Sequence, residues 1–252
     1  MKTLKKHHLR GSIEIVKNGH AQRVSLGYGY YSKRLKNGNT KLLYPVGSLQ
    51  KMVTAAIITQ LIYQKKFNQN TKISRWYPNL KHANQITVGQ LMTHTSGINV
   101  IGTESNHGVN FSENGAINWI IAQANARENT GRSKFNYNNA NYVLLAGIIS
   151  KVTGKSYAAN VKQRVIRPLK LKQTYIYQQI PRSKTDAISY LYSGGKNYSA
   201  SAYANRNVVS QLPGAGNLFS TANDYYKIQS GMQNGKILTK KQFHYLGHLS
   251  SK

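Results

Sequence analysis

The run Met52-Val53-Thr54-Ala55-Ala56-Ile57-Ile58-Thr59-Gln60-Leu61-Ile62 is too long for a buried strand and too short for a membrane span. It predicts a helix buried on most of its faces, so the rest of the chain must supply a core around it. Directly before it stands Gly47-Ser48-Leu49-Gln50-Lys51. Residues three apart on a helix share a face, which sets the Lys51 amine beside the Ser48 hydroxyl. A serine is a poor nucleophile until a base takes its proton, and a desolvated lysine amine is such a base near neutral pH. The simpler reading makes Ser48 a helix N-cap and Lys51 a solvated first-turn residue. A lysine there opposes the helix dipole, which counts against that reading. Ser193-Gly194-Gly195-Lys196 repeats the spacing, but in a Gly-Gly turn that cannot hold a rigid pair.

Charge narrows the chemistry. Thirty-five Lys and Arg face only six acids, a net charge of +29, and cysteine is absent. Such a field favours anionic partners: nucleic acid, anionic membrane or an anionic wall polymer. The basic residues are spread along the chain without a nucleic-acid-binding signature, so nucleic acid ranks last. The acids are Glu14, Glu104, Glu113, Glu128, Asp186 and Asp224, few from which to draw a carboxylate pair or a Ser-His-Asp triad. Thiol catalysis and cysteine-metal sites are excluded, and no His-Glu-x-x-His motif occurs. A lysine-based serine mechanism needs no carboxylate, no metal and no cofactor. The start, Met1-Lys2-Thr3-Leu4-Lys5-Lys6-His7-His8, is basic with no apolar segment behind it and is not read as a signal peptide.

The pattern is a hairpin followed mostly by helices. Ser12 to Gly29 alternates around Asn18-Gly19, the pair that most favours a hairpin turn. Thr87 is expected to cap a helix running to Gly97, and Ser112 one running to Asn125. Asn141 to Val152 is apolar on most faces and stops at Gly154. Ser156 to Arg167 is amphipathic and ends before Pro168. Tyr175 to Asn207 reads as short strands and loops. Thr221-Ala222-Asn223-Asp224 reads as a capping box opening a helix toward Gln233, and Thr239 opens the last one.

Four segments, taken in order, resemble one family. Gly47-Ser48-Leu49-Gln50-Lys51 resembles the first motif of the serine β-lactamases and penicillin-binding proteins. Leu91-Met92-Thr93-His94-Thr95-Ser96-Gly97 is similar to a segment of its class C and D-alanyl-D-alanine carboxypeptidase branch. Phe135-Asn136-Tyr137-Asn138-Asn139 resembles the Tyr-x-Asn motif. Pro213-Gly214-Ala215-Gly216-Asn217-Leu218-Phe219-Ser220-Thr221-Ala222-Asn223-Asp224 is similar to the glycine-rich segment. The resemblance implies an α+β, β-lactamase/transpeptidase-like fold, a helical region packed with an antiparallel sheet, as a single domain over 1–252. It implies that Ser48 is acylated, that Lys51 is its base or proton relay, that Tyr137 carries the proton to the leaving group, and that Asn139 binds the substrate amide. Lys51 beside Tyr137 would favour a phenolate able to accept the serine proton. His94 is expected to be structural.

One departure stands out. The family carries Lys-Thr-Gly or His-x-Gly on a late strand, which supplies an oxyanion-hole N–H, and nothing after Gly216 fits it. The chain therefore reads as cut short before the third motif, with an incomplete sheet and weakened hydrolysis. The resemblance implies serine hydrolysis of an amide or ester through an acyl-enzyme. The preferred substrate is a D-alanyl-D-alanine peptide of peptidoglycan, and an esterase using the same Ser-Lys-Tyr set is the near alternative. A non-catalytic homologue that binds anionic cell-wall polymer is the other. The family also implies an extracellular or cell-wall location, without a membrane span.

Overall fold

The computed structural model describes residues 2–127, 130–131 and 134–249; Met1 and Glu128, named above, lie outside the described residues. The chain opens with a short helix α1 (Lys2–Lys6) and the hairpin β1 (Gly11–Lys17) and β2 (His20–Leu26). Lys17 pairs with His20 across Asn18-Gly19, whose φ values of 51° and 78° suit a tight hairpin turn. The strands β3 (Tyr28–Tyr30), β4 (Leu35–Lys36) and β5 (Leu42–Pro45) follow. A 3-10 turn, Gly47–Gln50, then runs directly into α2 (Lys51–Tyr63).

The helical region comprises α3 (Val88–Met92), α4 (Glu113–Asn125), α5 (Asn139–Thr153) and α6 (Tyr157–Val161), the last continuing through a π turn at Lys162–Ile166. Beyond it lie β6 (Tyr175–Ile176), β7 (Thr185–Asp186), β8 (Ser189–Ser193) and β9 (Lys196–Ala202). The chain continues with α7 (Arg206–Ser210), β10 (Leu218–Ser220), α8 (Ala222–Gln233) and α9 (Lys240–Gly247). No helix among the described residues is long and apolar enough to cross a membrane.

Burial explains the two long apolar segments. Val53, Ala56, Ile57, Ile58 and Leu61 of α2 are fully buried, as are Val143, Leu144, Leu145, Ala146, Ile148 and Ile149 of α5. A helix apolar all round is stable only inside a core, and α5 packs against α2, α3, α4 and α6. Its ends follow local chemistry. The Asn138 side chain accepts from Ala140 N at the start, and Gly154 closes the helix at φ 67°.

The central sheet has the order β6-β10-β5-β7 and is antiparallel except that β5 and β7 run parallel. The opening hairpin does not join it. It forms its own ribbon, packed on α8, with Asn223 Nδ2 donating to Glu14 Oε1 at 2.8 Å. Ser193 and Lys196 pair across the turn between β8 and β9, so the second Ser-x-x-Lys is a hairpin corner.

One helix end and one helix cap differ from expectation. α3 stops at Met92 rather than reaching Gly97, because His94 takes a left-handed conformation at φ 58°. Thr95 N donates to Gln90 O and His94 N to Leu91 O, the two bonds of a Schellman ending, with histidine where glycine is usual. At α8, Thr221 caps Asp224 N, but the Asp224 carboxylate does not close a capping box. It accepts instead from Gln173 N at 2.7 Å and Thr174 Oγ1 at 3.2 Å. Thr87 does make the full reciprocal box with Gln90. Thr87→Ala should cost about 1 kcal/mol, measured by denaturant unfolding. An unchanged midpoint would show that α3 is held by packing alone.

Candidate active site

Ser48 sits on the exposed 3-10 turn at the N-terminal end of α2, and its side chain caps no helix. The positive φ of Gly47 (56°) turns the chain from β5 into that position. Ser48 Oγ lies 2.6 Å from Tyr137 OH and 3.0 Å from Lys51 Nζ. The structure thus brings the three expected groups together at one point, although 89 residues separate Ser48 from Tyr137.

Lys51 is the buried member, 7% exposed. Its Nζ donates to Asn139 Oδ1 at 2.8 Å and to Ala215 O at 3.0 Å. Both of these oxygens can only accept. As an ammonium, Nζ donates to these two oxygens and to Ser48 Oγ; once deprotonated, its two remaining N–H groups would serve the two acceptors and its lone pair would face Ser48 Oγ. Burial pushes the Lys51 pKa below its ordinary 10.5, against opposing pulls from Tyr137 and Glu104. The ammonium also lies 4.8 Å from the centre of the Tyr137 ring.

Asn139 is held from both sides. Its Oδ1 faces the lysine, while its Nδ2 donates to Glu104 Oε1 at 2.8 Å and to Thr103 Oγ1 at 3.3 Å. A donor on one side and a carboxylate on the other fix the amide orientation.

Tyr137 is fixed through its neighbours. Asn136 N donates to His94 O, and Asn138 N donates to His94 Nδ1 at 3.3 Å. Asn138 Nδ2 reaches Val100 O at 2.9 Å. The His94 ring lies 4.6 Å from the Tyr137 ring, and Asn141 Nδ2 is 3.1 Å from His94 Nδ1. Accepting at Nδ1 places the His94 proton on Nε2. Burial, then the nearby Lys51 charge, lower its pKa to about 4, so it is neutral at physiological pH. His94 makes no hydrogen bond to Ser48; it braces the loop that carries Tyr137.

The glycine-rich segment closes the site from the other side. Gln50 Nε2 donates to Asn217 Oδ1 at 2.8 Å, and Gln50 Oε1 accepts from Leu218 N at 2.7 Å. Thr54 Oγ1 donates to Gly214 O at 2.7 Å. Gln50, Lys51 and Thr54 therefore dock one face of α2 onto residues 214–218, with β10 beside β5. Sequence reasoning missed Gln50, Thr54, Glu104 and the Ala215 carbonyl. The first two carried a signal: they are polar residues four apart next to or within a buried apolar run. Glu104 and Ala215 carried none.

Comparison with known proteins agrees with this architecture. A family model described as Beta-lactamase matches residues 2–246. The chain is 33% identical over 233 residues to a teichoic acid D-alanine hydrolase from Staphylococcus aureus, covering 92% of this chain and 56% of that protein. It therefore spans little more than half the length of the curated relatives it matches. The crystal structure of FmtA from Staphylococcus aureus superposes with a TM-score of 0.83 at 30% identity, over 97% of this chain and 67% of that one. D-amino acid amidase from Ochrobactrum anthropi SV3 superposes with a TM-score of 0.79 at 21% identity, over 96% of this chain and 70% of that one, a likeness of fold. With the motifs, the α+β architecture and these matches in agreement, the chain belongs to the β-lactamase family, of serine β-lactamase/transpeptidase-like fold.

Proposed function

We propose that the chain is a serine hydrolase that removes D-alanyl groups from an anionic cell-wall polymer through an acyl-serine intermediate. The observation that carries this reading is the position of Ser48 Oγ, within hydrogen-bond reach of both Tyr137 OH and a buried, pKa-lowered Lys51. In the first half-reaction the Ser48 O–H proton passes to Lys51 Nζ while Oγ bonds the acyl carbon. The acyl–oxygen bond then breaks, and the leaving alkoxide receives its proton through Tyr137. In the second half-reaction water gives a proton to the same relay and attacks the acyl carbon; the acyl–Oγ bond breaks, Ser48 Oγ takes that proton back, and D-alanine is released. Asn139 orients Lys51 through Oδ1, whose second lone pair is left to accept from a substrate N–H.

The choice of an ester on an anionic polymer rests on two supports. One is the relative described as a teichoic acid D-alanine hydrolase. The other is the net charge of +29, which would hold the chain on a phosphodiester-linked polymer. On this reading it works at the wall face of the cell. A D-alanyl-D-alanine amide, the substrate preferred from the motifs, uses the same groups and is the second reading.

The test is to incubate the chain with a D-alanyl ester of glycerol, quench in acid and map the peptides. A D-alanyl adduct on the Ser48 peptide is expected. An adduct elsewhere, or ester hydrolysis without any adduct, would overturn the acyl-serine route. Tyr137→Phe should lower the acylation rate roughly 10²- to 10³-fold. Its melting temperature should hold, because the side chain is half-exposed. A Phe variant with unimpaired acylation would remove Tyr137 from the relay.

A further inference from the structure

Glu104 is an anomaly in a chain this basic. Of the other described acids, Glu14, Asp186 and Asp224 pair with Arg23, Arg206 and Lys227. Glu113 spends its oxygens on Ser150 Oγ and the N–H groups of Tyr157 and Ala158. Glu104 forms no ion pair among the described residues. Its Oε1 accepts from Asn139 Nδ2 at 2.8 Å, and among the described residues no hydrogen bond engages its Oε2. The side chain is exposed, on a loop that is firmly held: Ser105 O accepts from Gln211 Nε2 at 2.7 Å, and Thr103 is buried. Through Asn139 it is one side-chain amide away from Lys51, on which its charge acts directly.

Resting on the hydrolase reading above, we propose that Glu104 receives the free α-ammonium of an aminoacyl substrate, making the site selective for unblocked aminoacyl esters. The argument is one of sign. A chain carrying +29 attracts the polymer's phosphates but repels a cationic aminoacyl group. A carboxylate with one uncommitted oxygen, beside the residue that faces the substrate, reverses the field where the ammonium must sit. In an aminoacyl ester that nitrogen is two bonds from the carbon that Ser48 attacks. That keeps it close to the Ser48–Lys51–Asn139 cluster, to which Glu104 is joined through Asn139. A blocked amine carries no charge and gains nothing from Glu104.

The experiment compares D-alanyl and N-acetyl-D-alanyl esters of glycerol on the wild type and on Glu104→Gln. Glutamine keeps an acceptor for Asn139 and removes the charge. The wild type should prefer the free amine by about 10- to 100-fold, the range expected for a hydrogen bond to a charged group. Glu104→Gln should lose that preference, read as the ratio of the two rates at one pH, because removing the charge also acts on Lys51 and changes both rates by the same factor. If both substrates slow equally in the variant, Glu104 only positions Asn139 and the proposal falls. A binding arm separates this from failure of the hydrolase reading: D-alanine methyl ester and its N-acetyl form are titrated into Ser48→Ala, with and without Glu104→Gln. Neither ester acylating the wild type would defeat the hydrolase reading alone. Charge-dependent binding lost with Glu104 would then still support the ammonium site, and equal binding of both forms would overturn it.

Discussion

Lys51→Met will lower Ser48 acylation by roughly 10³-fold, the order contributed by a positioned general base, and Lys51→Arg will do the same. Arginine keeps a cation at the position but cannot give up its proton, so it separates the base from the charge. Each substitution should leave the acyl adduct undetectable over times at which the native chain is fully labelled. An arginine variant that labels at the native rate would remove Lys51 as the base. The pH profile carries the same information. Burial lowers the Lys51 pKa below 10.5, so the basic form accumulates, and acylation rises, as pH climbs through that lowered value. Glu104 opposes the lowering. Glu104→Gln should therefore move the rising limb to still lower pH, a shift that a loss of substrate contact alone would not produce. The sign for stability follows from proton counting. Between the folded-state value and 10.5 the unfolded chain binds more protons at Lys51, so this residue makes the fold gain stability as pH rises. Below the folded-state value its contribution is constant. Lys51→Met should remove that slope from a plot of melting temperature against pH.

What could be read from the sequence followed the range of the interactions. The Asn18-Gly19 turn, the Ser112 and Thr239 caps and the Gly154 stop are local, and each appears where the residues placed it. Strands of two or three residues, such as β6 and β10, have no period to detect; β10 exists because it lies between β5 and β6. His94 was legible as structural but not as the end of α3, because a left-handed histidine depends on Asn138 and Asn141 more than 40 residues away. The capping box expected at Thr221 lost its carboxylate to Gln173 and Thr174, partners 51 and 50 residues distant. Within the site, Ser48 and Lys51 are three apart and declared themselves. Glu104 and the Ala215 carbonyl meet Asn139 and Lys51 only in the folded chain, at separations of 35 and 164 residues.

Gly214→Ala will destabilise the fold by roughly 2–5 kcal/mol and weaken acylation as well. Gly214 has φ 76°, where a Cβ costs about 1–2 kcal/mol. The added carbon would also stand 2.7 Å from Tyr142 O and 2.8 Å from Ala146 Cβ, both on α5. Neither atom can swing aside: one is main chain, and the other is the root of a fully buried side chain in a core helix. Overpacking of this kind costs about 1–3 kcal/mol, added to the backbone term. The loop can relieve the clash only by moving off α5. That motion stretches the Thr54 bond to Gly214 O and withdraws Ala215 O from Lys51 Nζ. The amine then loses one of the two acceptors that hold its lone pair toward Ser48, which is why the same change should slow acylation. Gly216→Ala is the control two residues along. Its φ is not positive, and its Cβ would meet mainly Leu212 Cδ1 at 3.2 Å, the movable end of a side chain. For a chain of this size the Gly214 variant should melt about 5–15 °C below the native protein, with the Gly216 variant close to native. Equal melting temperatures for the two variants would show that the loop yields freely at Gly214. The Ala215 carbonyl would then not be a fixed partner of Lys51.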